Sequence, residues 1–264
     1  MSQEIKPIDA PFVLTHQDGG ILTLTLNRGD KFNPLSEQML DTLQRELDRA
    51  AGDATVRVVV LAASGKAFCA GHDLKQMRAE PSLGYYKNLF DQCSKMMLTL
   101  QNMPQPVIAR VQGIATAAGC QLVAMCDLAV ASVDAKFAVS GVNYGLFCST
   151  PSVGLSRNIA RKEAMEMLLT GDFIDANTAK ARGLINRVVE ATALDAEIAQ
   201  LADTIMAKPA VAIAMGKQLF YRQLEMGISA AYQLAGQTMA CNMMDEAALE
   251  GVQAFIEKRK PRRA

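Results

Sequence analysis

Two stretches decide how this chain folds: Val56-Arg-Val-Val-Val-Leu-Ala-Ala-Ser-Gly-Lys-Ala-Phe-Cys-Ala-Gly-His-Asp-Leu-Lys75 and, further along, Val107-Ile-Ala-Arg-Val-Gln-Gly-Ile-Ala-Thr-Ala-Ala-Gly-Cys-Gln121. Each begins as a β-branched apolar run and empties into a loop of glycine, alanine and small polar residues. The run Val56–Leu61 is apolar at nearly every position, as a strand must be when both faces of its sheet are covered. A helical pattern over about 83–103 separates it from Val107–Val111. Strand, helix, strand at this spacing is a parallel crossover. Loops at the carboxyl ends of parallel strands are where α/β proteins bind ligands. The small residues let a backbone come close to a ligand. The second loop also runs into an apolar helix, expected over Gln121–Cys126, whose N-terminal amides can face developing negative charge.

Working outward, Ile21–Leu26 alternates leucine and threonine and reads as a strand with its threonines on one face. Ser36 is placed to cap a helix carrying Leu40, Leu43, Leu47 and Ala51 on one stripe, with Asp41 and Arg45 one turn apart. Asp127–Ser132 and Lys136–Val139 read as short strands, and Leu184–Val189 as the last one. Asp73 and Asp127 read as turn or cap residues. From about Ala193 the pattern is helical to Glu257, with breaks expected at Pro209, Gly227 and Gly251. The chain therefore divides into an α/β core over 1–192 and a helical region over 193–264. The uncharged run Phe137–Ser156 is long enough to span a membrane, but its glycines, Asn143 and Pro151 make it a loop.

Composition narrows the function. Half of the 264 residues are hydrophobic and 20% are charged, enough to bury a core without a disulfide or metal staple. Lys+Arg 27 balances Asp+Glu 27; a nucleic-acid binder would carry a basic excess, and a surface with little self-repulsion favours an oligomer. Six cysteines without a CxxC pair and two histidines, His16 and His72, argue against a metal site and for buried, reduced thiols in a cytoplasmic protein. The opening MSQEIKPIDAP has no apolar core and no arginine, unlike a leader peptide. No G-x-G-x-x-G, P-loop, G-x-S-x-G or H-E-x-x-H pattern is present.

The blocks Phe68-Cys-Ala-Gly-His-Asp-Leu74, Pro106-Val-Ile-Ala109, Ala118-Gly-Cys-Gln-Leu122, Met125-Cys-Asp127 and Ala164–Gly171 resemble, in order, those of the crotonase superfamily, the enoyl-CoA hydratase/isomerase fold. Gly119–Ala124 and Gly141–Pro151 look most like its hydratase-domain-containing protein 3 subgroup. The resemblance implies an α/β spiral of repeated ββα units with a C-terminal helical trimerisation region, as a trimer or dimer of trimers. It implies an acyl-CoA thioester as ligand, so coenzyme A arrives as part of the substrate and no cofactor is held permanently. It also implies that the backbone N–H groups of His72 and Ala118 hold the thioester oxygen as it becomes an enolate. The matching CoA contacts are the Lys31–Phe32 loop, the backbone around Ala70 and Leu74, Lys75, and Lys258 reaching the phosphates from a neighbouring subunit; Arg262 and Arg263 read as a solvated tail.

One departure matters. Hydratases of this type carry glutamates at the positions matching Gln121 and Gly141. A glutamine cannot take up a proton and a glycine has no side chain, and each lost acid–base partner removes about 10²–10⁴ in rate. Ordinary hydratase activity is expected to be weak or absent. Cys148 matches a polar position near the acyl group in decarboxylating relatives, so a malonyl-type decarboxylase or another enolate-forming lyase is one alternative, with a packed thiol as the plainer reading of that residue. A non-catalytic acyl-CoA binder or oligomeric partner protein is another.

Overall fold

In the computed structural model, which describes residues 10–262, three strands of the main sheet are each followed by a short strand of a second sheet and then by a helix. The chain enters through the hairpin β1 (Val13–Asp18) and β2 (Ile21–Leu26), then α1 (Glu37–Ala51). The first full turn is β3 (Val58–Ala63), β4 (Ala67–Cys69), α2 (Leu74–Ala79) and α3 (Leu83–Asn102). The second is β5 (Val107–Val111), β6 (Ile114–Thr116) and α4 (Ala118–Met125). The third is β7 (Leu128–Ser132), β8 (Lys136–Ala138), a 3₁₀ turn over Ser140–Tyr144, α5 (Ser149–Asn158) and α6 (Arg161–Thr170). β9 (Ile174–Asp175), α7 (Ala176–Ala181) and β10 (Arg187–Val189) close the sheets. Four helices follow: α8 (Leu194–Met206), α9 (Ala210–Leu224), α10 (Ile228–Met243) and α11 (Glu246–Ile256).

The main sheet runs β1-β2-β3-β5-β7-β10 and the second β4-β6-β8-β9. Apart from the β1–β2 hairpin and the β8–β9 pair, all pairings are parallel. This is the expected spiral of ββα turns. β4 and β6 pair in parallel, so the loop leaving β4 in one turn lies beside the loop leaving β6 in the next. β3 is buried at every position, with α1 and α3 on one side and α8 on the other. Leu194, Ile198, Leu201 and Ala202 of α8 pack against Val58, Val60, Ile108 and Val130. Ser36 caps α1 by accepting the Met39 N–H at 3.2 Å, and Leu40, Leu43, Leu47 and Ala50 form its buried stripe. Each fully buried leucine contributes about 1.5–3 kcal/mol.

Several boundaries differ from the sequence reading. Val56 belongs to a turn, its N–H donating to Asp53 O, so β3 begins at Val58. Helix α4 starts at Ala118 because the Gln121 N–H closes onto Ala117 O at 3.1 Å, which draws half of the small-residue loop into the helix. The stripe of α1 includes the buried Ala50 beside the partly buried Ala51. Gly251 lies inside α11; the break falls before it, where the Asp245 carboxylate caps the helix by accepting the Ala247 N–H. The segment 137–156 is not an open loop but the end of β8, a 3₁₀ turn and most of α5, with Pro151 tolerated in that helix's first turn. β1, β4, β6 and β9 were not anticipated. No single described helix is long and apolar enough to cross a membrane. The opening stretch Met1–Asp9 and Arg263 lie outside the described residues.

Turn-on-turn stacking requires glycine where the loops touch. A Cβ on Gly113 would stand 2.0 Å from Lys66 O, whereas one on Gly84 would meet nothing within 4 Å. Gly113→Ala is expected to destabilise the fold by about 2–3 kcal/mol and Gly84→Ala by less than about 0.5 kcal/mol, read from urea unfolding midpoints. Equal losses would contradict this packing.

Candidate active site

The two small-residue loops meet at Gly71. A Cβ there would lie 3.0 Å from Ala117 Cβ and 3.2 Å from Ala118 N, and Gly71 already needs φ +90°. The next residue of the first loop, His72, is held by a bridge to Leu35, whose N–H donates to Gly71 O at 2.8 Å. On the other loop Ala117 has φ 51° and ψ −123°, a conformation that a residue with a Cβ rarely adopts. Such strain costs on the order of 1–3 kcal/mol and persists only where the surroundings fix it. Here they do: Ala117 N–H donates to Ala138 O at 3.0 Å, and Ala117 O accepts the Gln121 N–H. The result leaves Ala118 as the first residue of α4, with an amide that has no partner in the preceding turn. Gly119 lets the helix seat directly on the first loop, since a Cβ there would be 2.1 Å from Cys69 O.

A chain of contacts extends this site to the third turn. Thr116 Oγ1 and Ser140 Oγ are 2.9 Å apart. Ser140 adjoins Gly141, whose N–H donates to Cys148 Sγ at 3.3 Å. A Cβ on Gly141 would lie 2.5 Å from Leu146 O and 2.8 Å from that sulfur. The returning 146–148 segment therefore occupies the space into which any side chain at 141 would grow. Cys148 is buried, and burial raises its thiol pKa, so the sulfur is held as a neutral thiol. Gln121, one turn along α4 from Ala118, is also buried, and its Oε1 has no hydrogen-bond partner.

The His72 ring has a fixed orientation. Nδ1 is 3.3 Å from Leu35 O, and because a carbonyl only accepts, the proton sits on Nδ1. Nε2 is buried without a partner, and the ring packs edge-on to Phe90 at 5.5 Å. Burial lowers the pKa of His72, opposed in part by the Leu35 carbonyl, so the ring is neutral. Leu35 and Phe90 had no signature in the sequence. Neither did Asn33, fully buried at φ 51°, which accepts the Arg28 N–H and donates to Ser64 O and Ala67 O, tying its own loop to the one between β3 and β4.

The remaining residues singled out from the sequence fall in two places. Lys31 and Phe32 form a tight 3₁₀ turn beside the first loop, and the Ala70 N–H donates to Phe32 O at 3.0 Å. Phe32, Ala70, Leu74 and Lys75 are exposed around this point. Lys31 also lines a concavity of about 250 Å³ with Arg28, Gln38, Asp73 and Gln76. Asp73 is the expected cap: its carboxylate accepts the Lys75 and Gln76 N–H groups at the start of α2. Lys258 is elsewhere, at φ 55° just beyond α11, in the helical region. Asp127 is a correction. It does lie in the bend before β7, but its carboxylate serves the N–H of Val107 at the start of β5 and forms a buried ion pair with Lys217 at 2.7 Å.

The neutral His72 has a consequence for stability. Its folded pKa lies below the ordinary 6.5, so the unfolded chain binds the proton more readily. Stability is fully present above about pH 6.5 and falls as the pH drops toward the folded value. His72→Gln is expected to flatten the decline between about pH 6.5 and 5 in urea titrations; an unchanged slope would mean that the ring is not buried neutral.

Comparison with known proteins places this geometry in a family. The model of the enoyl-CoA hydratase/isomerase family matches residues 16–263. The chain is 43% identical over 251 residues to the Xenopus laevis protein named enoyl-CoA hydratase domain-containing protein 3, mitochondrial, covering 95% of this chain and 85% of that protein. Among solved structures, an enoyl-CoA hydratase of Mycobacterium smegmatis shares 63% identity at a TM-score of 0.95, covering 96% of this chain and 99% of that one. Human enoyl-CoA hydratase domain-containing protein 3 shares 42% at a TM-score of 0.92, covering 96% and 100%. The cytoplasmic location expected from the sequence is overturned by these relatives, since the Xenopus and human proteins are both named as mitochondrial. Buried reduced thiols do not distinguish the two compartments. On its sequence and on its fold, this chain belongs to the enoyl-CoA hydratase/isomerase family, the crotonases.

Proposed function

We propose that this protein binds an acyl-CoA thioester and stabilises its enolate between the backbone amides of His72 and Ala118, without working as an ordinary hydratase. The observation that carries this reading is the approach of the two loops at Gly71, held by the strained Ala117. A thioester enolate concentrates charge on one oxygen. A preorganised amide aimed at that oxygen contributes about 3–4 kcal/mol, and both donors are main-chain groups that need no particular side chain. Lys31, Phe32, Ala70, Leu74 and Lys75 are the proposed surroundings of the CoA moiety. No permanently bound cofactor is required.

Hydration needs more than the hole. It needs a group to activate water and another to deliver a proton to the α-carbon. Gln121 and Gly141 supply no carboxylate at those positions, and the 146–148 segment leaves position 141 no room for one. Cys148, neutral and in contact with the Gly141 amide, favours a second reading. Loss of CO₂ from a malonyl-type thioester generates the enolate directly, and a neutral thiol nearby can donate the proton that quenches it.

The proposal includes oligomerisation through 193–264. Phe220, Leu224, Ile228, Tyr232, Phe255 and Ile256 are all exposed in the single chain. Such a run of apolar surface suits a trimer interface, and Lys258 beside it would then be offered to a neighbouring subunit's CoA phosphates.

Crotonyl-CoA tests the reading. Calorimetric titration should give saturable binding while the enoyl absorbance on the same sample stays constant on the timescale of a hydratase. Rapid loss of absorbance would mean that another group activates water; failure to bind any CoA thioester would refute the assignment altogether. Gly141→Glu is expected to lower thermal stability rather than to restore hydration, because its Cβ collides with Leu146 O.

A further inference from the structure

Asp127, Lys217 and Tyr221 form a buried polar cluster that the proposed chemistry does not use. Lys217 on α9 spends all three of its N–H donors: on Leu100 O at 2.7 Å, Gln105 O at 2.8 Å and Asp127 Oδ2 at 2.7 Å. Asp127 Oδ2 also accepts the Val107 N–H at 2.7 Å, and Oδ1 accepts the Tyr221 hydroxyl at 2.9 Å. Lys217 is 9% exposed, so water offers these groups no ready substitute.

The acceptors are informative by their places in the chain. Leu100 is in the last turn of α3, and Asp127 directly follows Cys126, which ends α4. Helix α3 carries Phe90, the ring packed on His72, and α4 begins with Ala118. A single ammonium group therefore joins the C-terminal ends of two helices, α4, which begins at the Ala118 amide, and α3, which packs Phe90 on the His72 ring. α4 has eight residues and spans only about 12 Å, so a shift at its Asp127 end is passed almost undiminished to Ala118. Misplacing a catalytic group by about 1 Å can cost about 10²-fold in rate.

We propose that Lys217, with Asp127 and Tyr221, is a positioning group that sets the spacing between the His72 and Ala118 amides. It rests on the oxyanion reading above and extends it to residues that never touch the ligand. Two measurements test it separately. The first uses 4-dimethylaminocinnamoyl-CoA, whose absorption moves to longer wavelength when its thioester carbonyl is polarised. Tyr221→Phe removes one hydrogen bond and no volume from the core. It should bind this probe within about threefold of the parent affinity yet lose at least half of the red shift. Asp127→Asn, which keeps the shape and removes the charge, should lose more. A full red shift in both folded variants would overturn the proposal. The second measurement needs no ligand. Amide hydrogen exchange over residues 117–121 should be at least tenfold faster in Tyr221→Phe than in the parent; unchanged exchange there would overturn the positioning role on its own. If the parent binds the probe with no red shift, the oxyanion reading fails, and the exchange result still decides whether the cluster holds α4.

Discussion

Everything proposed for this protein depends on one close approach: the backbone of Gly71 against Ala117 and Ala118. Two loops from successive turns of the spiral can meet there only because Gly71 has no Cβ and adopts a positive φ. The same economy recurs one step to either side. Gly113 lies against Lys66 O and Gly119 against Cys69 O, each at a distance that no side chain could share. These three contacts bolt β4 and its loop to β6 and α4. The site is thus a seam between two turns of the core, and its geometry is as rigid as the stacking of the sheets.

Rigidity of that kind is what an oxyanion hole needs, because its donors must already point at the reacting oxygen before charge develops. The seam also carries unfavourable terms. Ala117 is strained, and His72 Nε2 and Gln121 Oε1 are buried without partners. Buried polar groups in folded proteins are ordinarily satisfied, and the contrast inside this molecule is sharp. The Asp127–Lys217–Tyr221 cluster, about as deeply buried, has its ammonium hydrogens and carboxylate oxygens fully engaged. At the seam a strained alanine and two unpartnered polar atoms stand together, while the ammonium and carboxylate of the cluster behind it are engaged.

Much of this was legible in the sequence because it rests on local pattern. The apolar runs of β3 and β5, the caps at Ser36 and Asp73 and the loop glycines all announce themselves within a few residues. What escaped depends on tertiary contact. Asp127 looked like a turn residue because its partners, Lys217 and Tyr221, lie some 90 residues further along the chain. Ala117 gave no warning, since a residue with a Cβ is not one that propensity would assign to a positive φ. Leu35 and Phe90 are ordinary apolar residues until the fold sets a carbonyl and a ring beside His72. The crowding at Gly141 was equally invisible: the missing glutamate could be read from sequence, but not that the chain itself has filled its place.

The central claim is that two main-chain amides, on His72 and Ala118, hold the thioester oxygen. A crystal structure of the protein with butyryl-CoA tests it most directly. The account predicts the thioester oxygen about 2.7–3.1 Å from both amide nitrogens, with the acyl chain passing between Gln121 and Cys148. A bound CoA whose thioester oxygen meets neither amide, or only one, would contradict it.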